Sequence, residues 1–239
     1  MEKILISSYN LFTTSIQKVL PYILFYGFLM NFIAIYALPA IGETIENQQQ
    51  INGLISYNFF FYLLLIYFFN SIYSILFTQF IISKIKNEKI FLNINLIFIF
   101  LVKFVAIDSF VLIFPIILGL IVNFTFGTII GDNFLILIPL IYFITYFSKY
   151  LIIDKNLGIS ESLLTSYYII QSRFGIFFKF ILINFLFVVI ILYTSILIGN
   201  ILQFFSTAIL NIQIYFISIF NIYFYYLIKP SNEIENIND

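Results

Sequence analysis

The amino-acid sequence predicts an all-α, polytopic membrane protein with six transmembrane helices, and three observations indicate that fold class. The chain of 239 residues is 62% hydrophobic and 9% charged, whereas a soluble domain carries about 25% charged residues. Its uncharged stretches are long enough to cross a bilayer, which takes about 20 apolar residues per helix. Its basic residues fall into four segments that six crossings place on one side of the membrane.

The spacing between charged residues determines the number of crossings. Between Lys18 and Glu43 lie 24 uncharged residues, which is enough for one span. Between Lys179 and Lys229 lie 49, and because a single helix of that length exceeds the bilayer, we expect a turn at the polar residues of 199–206. The predicted spans belong to one membrane domain, residues 1–230, which precedes a polar cytoplasmic tail, 231–239. They cover about 19–38, 57–83, 106–126, 134–153, 178–198 and 207–228.

The basic residues also predict the orientation, because cytoplasmic loops of membrane proteins carry an excess of Lys and Arg. With the N-terminus inside, all eleven basic residues lie in cytoplasmic segments. These segments are 1–18, 84–103, 149–179 and 229–239. The outer connections carry only the acidic residues Glu43, Glu46 and Asp132. The sequence therefore predicts a multi-pass protein of the bacterial inner (plasma) membrane with both termini in the cytoplasm.

The N-terminal cytoplasmic stretch predicts an amphipathic helix at the membrane surface. Its apolar residues recur at intervals of four and three, which places them on one helical face. That face consists of Leu5, Tyr9, Phe12, Ile16 and Val19. A second stretch, 90–102, is too short to span a bilayer, so we expect an interfacial or buried helix there.

A further amphipathic helix is predicted after Gly158. Ser160 is the expected N-cap, with Glu161 in the first turn, where a negative charge is favourable. Ser162 and Ser166 are expected to face away from the apolar side. That apolar side consists of Leu163, Tyr167, Ile170 and Phe174.

Each of the three stretches precedes a pair of predicted spans, which predicts a threefold repeat of a cytoplasmic helix and a two-span hairpin. The copies begin near residues 3, 88 and 159. The alternative is that a six-span protein with basic inner loops has this arrangement without any repeat.

The ionisable residues nearest to the predicted spans are Lys103, Asp108 and Lys149. Charged groups inside a membrane are candidates for function. We expect these three to be inner-interface charges that fix the position of the helices, and the alternative is a buried Lys–Asp pair that gates a pathway. Asp154 and Glu161 are expected on the inner face, as a solvated loop and a helix cap.

Three uncharged residues in the second predicted hairpin are candidates for a substrate path or for helix packing. Pro115 and Pro139 lie inside the third and fourth spans, and Asn123 lies near the outer end of the third. Broken helices near the middle of the membrane form the binding sites of many transporters. The alternatives are simple kinks and an interhelical amide contact.

The composition excludes several kinds of chemistry. The chain has no His, Cys or Trp, which excludes thiol catalysis, disulfides, His or Cys metal ligands and a His-based triad. We find no phosphate-binding loop or paired carboxylates at catalytic spacing in the sequence. We therefore expect no enzyme, no catalytic, cofactor-binding or metal-binding residues, and no cofactor. The net charge of zero gives no basis for a nucleic-acid partner.

The inner loop and the segments that flank it carry a family resemblance. The residues involved are Asp154, Lys155, Gly158, Ser162, Thr165 and Ser166, with Ser8, Tyr9, the stretch 46–50 and Pro139 elsewhere. On these residues the chain resembles the YciC-like proteins, uncharacterised multi-pass inner-membrane proteins of enteric bacteria. The resemblance implies six inner-membrane helices and no assigned activity. Family members are more basic in the amphipathic segment, where this chain has only Arg173, and this departure weakens the expectation that the segment binds anionic lipid.

The expected function follows from these features. The sequence favours a non-enzymatic membrane protein that acts in envelope organisation or as a partner of other membrane proteins. The alternative is a small transporter or permease for a neutral or lipid-like solute. The expected partners are the lipid bilayer and other membrane proteins.

Overall fold

The computed structural model describes residues 1–46, 51–88, 93–126, 137–199 and 203–228. Within these ranges every regular element is an α-helix. The helices are α1 (Glu2–Glu46), α2 (Ile51–Lys86), α3 (Ile94–Phe126), α4 (Leu137–Ile144), α5 (Ser148–Lys155), α6 (Ile159–Ser172), α7 (Phe174–Gly199) and α8 (Gln203–Ile228).

Five helices are long and apolar enough to cross a membrane. Their described candidate spans are Glu2–Ile33, Leu64–Lys86, Ile94–Ile121, Phe174–Ser195 and Ile209–Ile228. Large apolar side chains point outward from them: Phe185 on α7 is 63% exposed and Leu120 on α3 is also 63% exposed. Exposed apolar surface on this scale is uncommon on soluble proteins. The all-helical fold and its apolar exterior therefore indicate a membrane protein.

The fourth predicted span, 134–153, is not one continuous helix in the part of the chain that the structure describes. α4 ends at Ile144, α5 begins at Ser148, and turn residues separate them. Each of these helices has eight residues, or about 12 Å, against a hydrocarbon core of about 30 Å. The six crossings are therefore not confirmed. Residues 134–136 lie outside the described residues, as does the predicted tail, 231–239.

Two of the three predicted surface helices are not separate elements. α1 continues from the N-terminal stretch through the first predicted span, and α3 continues from Ile94 through the third. Each is one continuous helix, of 45 and 33 residues, and α3 continues through Pro115 although proline has no backbone N–H to donate. Only α6 is a helix of its own, and its N-cap is Gly158 rather than Ser160. The threefold repeat is therefore not confirmed.

The buried faces of α1 and α6 also differ from the predicted apolar faces. On α1, Ser8 is fully buried, whereas Tyr9 is 60% exposed. On α6, Ser162 and Ser166 are fully buried, whereas Tyr167 is exposed. Against lipid, apolar side chains gain little by turning inward, and small serines let the backbones of neighbouring helices approach closely.

The chain divides into two compact units, and the first contains the described residues of Met1–Ser74 and Phe180–Tyr223. α1 and α8 contact each other through the hydroxyls of Ser15 and Tyr215, 2.8 Å apart. α1 and α2 contact through Tyr26, whose hydroxyl donates to Asn70 Oδ1 at 3.0 Å. The phenyl ring of Phe187 on α7 packs edge-on against Phe220 of α8. Unit 1 is thus held by neutral polar contacts and aromatic packing.

The second unit contains the described residues of Ile75–Lys179 and those from Phe224 onward. In it α3 packs against α4, α5 and α6, and α6 packs against α4 and α5. The ring of Phe147, fully buried between α4 and α5, contacts Phe177 of α7 and Phe224 of α8. Unit 2 therefore brings the ends of several helices together around the break in the fourth predicted span.

Candidate functional site

A buried carboxylate lies in unit 2, that of Asp154 in the last turn of α5. Its side chain is fully buried. Lys86 Nζ, at the end of α2, lies 2.9 Å from Asp154 Oδ1. The hydroxyls of Tyr225 and Tyr226, at the end of α8, donate to Oδ2 at 2.9 Å and to Oδ1 at 2.6 Å. We call these four residues the Asp154 cluster.

The Asp154 cluster joins three helix ends through one anion. A buried carboxylate is costly unless an opposite charge and hydrogen-bond donors compensate it. Here Lys86 supplies the charge and the two tyrosines supply neutral donors, so both carboxylate oxygens accept hydrogen bonds. A carboxylate bound in this way is suited to holding α2, α5 and α8 in a fixed arrangement.

The prediction that Asp154 lies in a solvated loop is wrong. The residue belongs to α5 and faces inward, whereas Glu161 is exposed in the first turn of α6, as expected. The tyrosine donors lie about 70 positions further along the chain, so no local spacing reveals them. One signal was present in the sequence: a negative charge near the C-terminus of a helix is unfavourable to the helix dipole, which points to a compensating partner.

The predicted inner-interface charges lie in two separate arrangements in the same unit. Lys149 Nζ lies 2.7 Å from Asp108 Oδ2 and 5.0 Å from the centre of the Phe104 ring. The side chains of Lys149 and Asp108 are 33% and 23% exposed. Lys103 donates instead to the carbonyl oxygen of Leu157 at 2.8 Å. Asp108 thus pairs with Lys149, and their role as anchors or as a gate stays a prediction.

Lys103 and Arg173 both bind carbonyl groups at helix ends. Lys103 Nζ also donates to Asn156 Oδ1 at 3.1 Å, and Asn156 ends α5 in a left-handed conformation with φ 52°. Arg173 Nη1 donates to the carbonyl oxygen of Leu227, in the last turn of α8, at 3.1 Å. Basic side chains at these positions compensate carbonyl oxygens that have no partner within the helix.

One serine of α6 forms hydrogen bonds to the backbone on both sides of the break between α4 and α5. Ser166 Oγ donates to the carbonyl oxygen of Ile144 at 2.8 Å and accepts the backbone N–H of Phe147 at 3.1 Å. Beside it, Ser148 Oγ donates to the carbonyl oxygen of Ser162 at 3.3 Å. A helix can be interrupted at membrane depth only where neighbouring groups satisfy its backbone. We call the two hydrogen bonds of Ser166 the Ser166 bridge.

The residues predicted to line a substrate path lie in different surroundings. Pro115 is buried within α3, which passes through it without interruption. Pro139 is exposed near the start of α4. Asn123 belongs to α3, but its side chain lies outside the described residues. The break in the fourth segment falls at residues 145–147, not at a proline. Whether these residues form a path stays a prediction.

The fold and the site together define an all-helical protein with apolar spans and an internally bonded polar network at the helix ends of unit 2. No family model, curated protein or solved structure matches this chain. Its function is therefore inferred from the site itself.

Proposed function

We propose that this chain is a multi-pass protein of the bacterial inner membrane that acts as a structural partner of other membrane proteins or in organising the envelope. It catalyses no reaction. The proposal includes six crossings, cytoplasmic termini and kinship with the YciC-like proteins. The orientation rests on the basic residues, because retaining them on the cytoplasmic side is the rule for membrane proteins.

The Asp154 cluster is the observation that supports a structural role for the protein. Its carboxylate is paired with the Lys86 ammonium and accepts hydrogen bonds from Tyr225 and Tyr226. An ionised group used in this way holds helices together. The outward side chains, such as Phe185 and Leu120, are apolar, and an apolar exterior suits contact with lipid and with the spans of a partner.

The test is the stoichiometry of the protein in native membranes. The tagged chain is cross-linked in intact cells, extracted in mild detergent and purified, and its partners are quantified by mass spectrometry. We expect a membrane protein to copurify in a fixed ratio, and we expect deletion of the chain to change envelope permeability. An unrelated six-span protein expressed at the same level is the control. A chain that purifies alone, with an unchanged envelope after deletion, would contradict the proposal.

A small transporter for a neutral or lipid-like solute is the second candidate, and the interrupted fourth segment is the observation that favours it. Transporters build their sites from broken helices, and α4 and α5 are separated by turn residues. Solute flux into vesicles containing the purified chain tests this candidate. Flux that is lost in Pro139→Ala and Asn123→Leu but kept in Ser172→Ala would support transport over the structural role.

A further inference from the structure

α6 is held at both ends by basic side chains. Just before it, Lys103 donates to the carbonyl oxygen of Leu157. Just after it, Arg173 donates to the carbonyl oxygen of Leu227, one residue before the end of α8. Both basic residues belong to the segments that the proposed orientation places at the cytoplasmic boundary. With both ends fixed there, α6 lies at that boundary and not in the middle of the bilayer.

One side of α6 is packed and the other is uncovered. Ser162 and Ser166 are buried in the interior of unit 2, where the Ser166 hydroxyl donates to the carbonyl oxygen of Ile144 and the Ser162 carbonyl oxygen accepts from Ser148 Oγ. On the opposite side Leu164 is 58% exposed, Tyr167 41% and Tyr168 62%. We call these three residues the outer face of α6.

The residue types of the outer face are those of a membrane interface. Tyrosine is enriched at the level of lipid headgroups, where its ring meets the acyl region and its hydroxyl remains hydrated. The rings of Tyr167 and Tyr168 lie 5.7 Å apart. The exposed charge on α6 is Glu161, and the guanidinium of Arg173 donates to Leu227. The outer face therefore offers apolar and hydrogen-bonding contacts but no cation for an anionic lipid.

The outer face continues into an apolar surface at the start of α7. A single residue, Arg173, separates α6 from α7. Phe174 and Phe178 are 62% and 51% exposed, and their rings stack at 6.4 Å. They begin the candidate span Phe174–Ser195. The uncovered apolar surface thus extends from α6 onto a helix whose exterior suits the hydrocarbon of the bilayer.

We propose that the outer face of α6 lies in the headgroup region of the cytoplasmic leaflet and binds phospholipid there without selecting for headgroup charge. Leu164 reaches the upper acyl chains, and the tyrosine hydroxyls hydrogen-bond headgroup or glycerol oxygens. The occupant is lipid because the ends of α6 are fixed at the membrane boundary and its uncovered surface continues into that of a candidate span. The proposal rests on the proposed membrane orientation.

Single-tryptophan fluorescence tests the proposal, because the chain contains no Trp. The full chain with Tyr168→Trp is reconstituted in phosphatidylcholine vesicles whose acyl chains are brominated either near the headgroup or near the methyl end. We expect about twofold stronger quenching by the shallow bromines than by the deep ones. The quenching stays unchanged when part of the lipid is replaced by phosphatidylglycerol. Leu164→Trp provides a second reporter on the same face.

Two variants calibrate the measurement. Phe185→Trp places the reporter on the exposed side of α7 within a candidate span, and we expect quenching by the deep bromines. Glu88→Trp places it at an exposed position after α2, and we expect quenching by aqueous iodide but not by brominated lipid. Variants that purify as monodisperse protein with unchanged helix content are compared.

The outcomes separate this inference from the proposed function. If Tyr168→Trp and Leu164→Trp respond like Glu88→Trp while Phe185→Trp is quenched by lipid, the inference is overturned and the face is open to a soluble partner. If Phe185→Trp also escapes lipid quenching, the membrane assignment itself fails. If the quenching of Tyr168→Trp required phosphatidylglycerol, the face would select for anionic headgroups and this part of the inference would be wrong.

Discussion

The two units of the chain are stabilised by different kinds of polar contact. In unit 2, Lys86 pairs with Asp154 and Lys149 pairs with Asp108. In the described part of unit 1 the polar contacts between helices are neutral, as in the bond between the hydroxyls of Ser15 and Tyr215. Ionised groups are costly in hydrocarbon. The contrast indicates that unit 2 uses ionised groups at the ends of α2 and α5 and within α3, whereas the described contacts of unit 1 use hydroxyl and amide groups.

This comparison ranks the expected cost of removing each contact. Removal of a buried anion is expected to lower the free energy of unfolding most, because its partners are left unpaired in surroundings of low dielectric. A backbone group left without a hydrogen bond comes next, followed by a half-exposed ion pair and then by a neutral interhelical hydrogen bond.

The largest effect is expected from Asp154→Ala. The substitution leaves the Lys86 ammonium and the two tyrosine hydroxyls without their acceptor. Breaking such a pair should lower the free energy of unfolding by about 3 kcal/mol, at the lower end for buried pairs because the Lys86 side chain is 31% exposed. Unfolding by SDS titration in mixed micelles, followed by circular dichroism, measures the change.

Two variants give that measurement its controls. Asp154→Asn retains an acceptor oxygen and should recover part of the loss. Glu161→Ala removes an exposed carboxylate and should leave the free energy of unfolding within about 0.5 kcal/mol of the wild-type value. Equal stability of Asp154→Ala and Glu161→Ala would show that the Asp154 cluster contributes nothing.

The next largest effect is expected from Ser166→Ala. It removes both hydrogen bonds of the Ser166 bridge, the one to the carbonyl oxygen of Ile144 and the one from the N–H of Phe147, at a cost of about 1–3 kcal/mol. Hydrogen exchange should detect the loss of the bond at Phe147, because the amide proton of Phe147 should exchange faster in Ser166→Ala than in the wild type. Ser172→Ala is the matched control, because that hydroxyl bonds only within its own helix. Unchanged exchange at Phe147 would refute the Ser166 bridge.

A smaller effect is expected for the Lys149–Asp108 pair. Both side chains are partly exposed, so we expect a coupling energy of about 1 kcal/mol or less. A double-mutant cycle with Lys149→Met and Asp108→Asn measures it by SDS unfolding. Additive effects of the two substitutions would mean that the two side chains do not interact.

The smallest effect is expected in unit 1. Ser15→Ala and Tyr215→Phe each remove one hydroxyl of a neutral interhelical hydrogen bond. Such bonds contribute about 0.6 kcal/mol within membranes. A double-mutant cycle should give a coupling energy of that size, below that of unit 2. A coupling larger than the loss caused by Asp154→Ala would reverse the ranking of the two units.

Much of the fold could be predicted from the sequence, because scarce charge and long apolar stretches determine where helices can cross a bilayer. The helical class and the candidate spans in α1, α2, α3, α7 and α8 follow from those features. The faces of α1 and α6 could not be predicted in the same way, because an amphipathic pattern does not tell whether lipid or water surrounds the helix. Ser8 and Ser166 are fully buried although their side chains are polar.

The candidate site was less accessible to prediction. The Asp154 cluster is assembled from residues about 70 positions apart on three helices, and the Ser166 bridge depends on a break that contains neither proline nor glycine. Both are produced by tertiary packing. The pairing of Asp108 with Lys149 likewise depends on the antiparallel packing of α3 and α5, and sequence spacing alone does not define it.

The most direct measurement of the proposed topology is the labelling of single cysteines in oriented membranes, for which the chain provides a background without Cys. A membrane-impermeant maleimide is added to intact spheroplasts and to permeabilised ones, with Glu161→Cys on α6 and Glu43→Cys in the predicted outer connection. We predict labelling of Glu43→Cys in intact spheroplasts and of Glu161→Cys only after permeabilisation. Labelling of Glu161→Cys in intact spheroplasts would contradict the topology on which the proposed function rests.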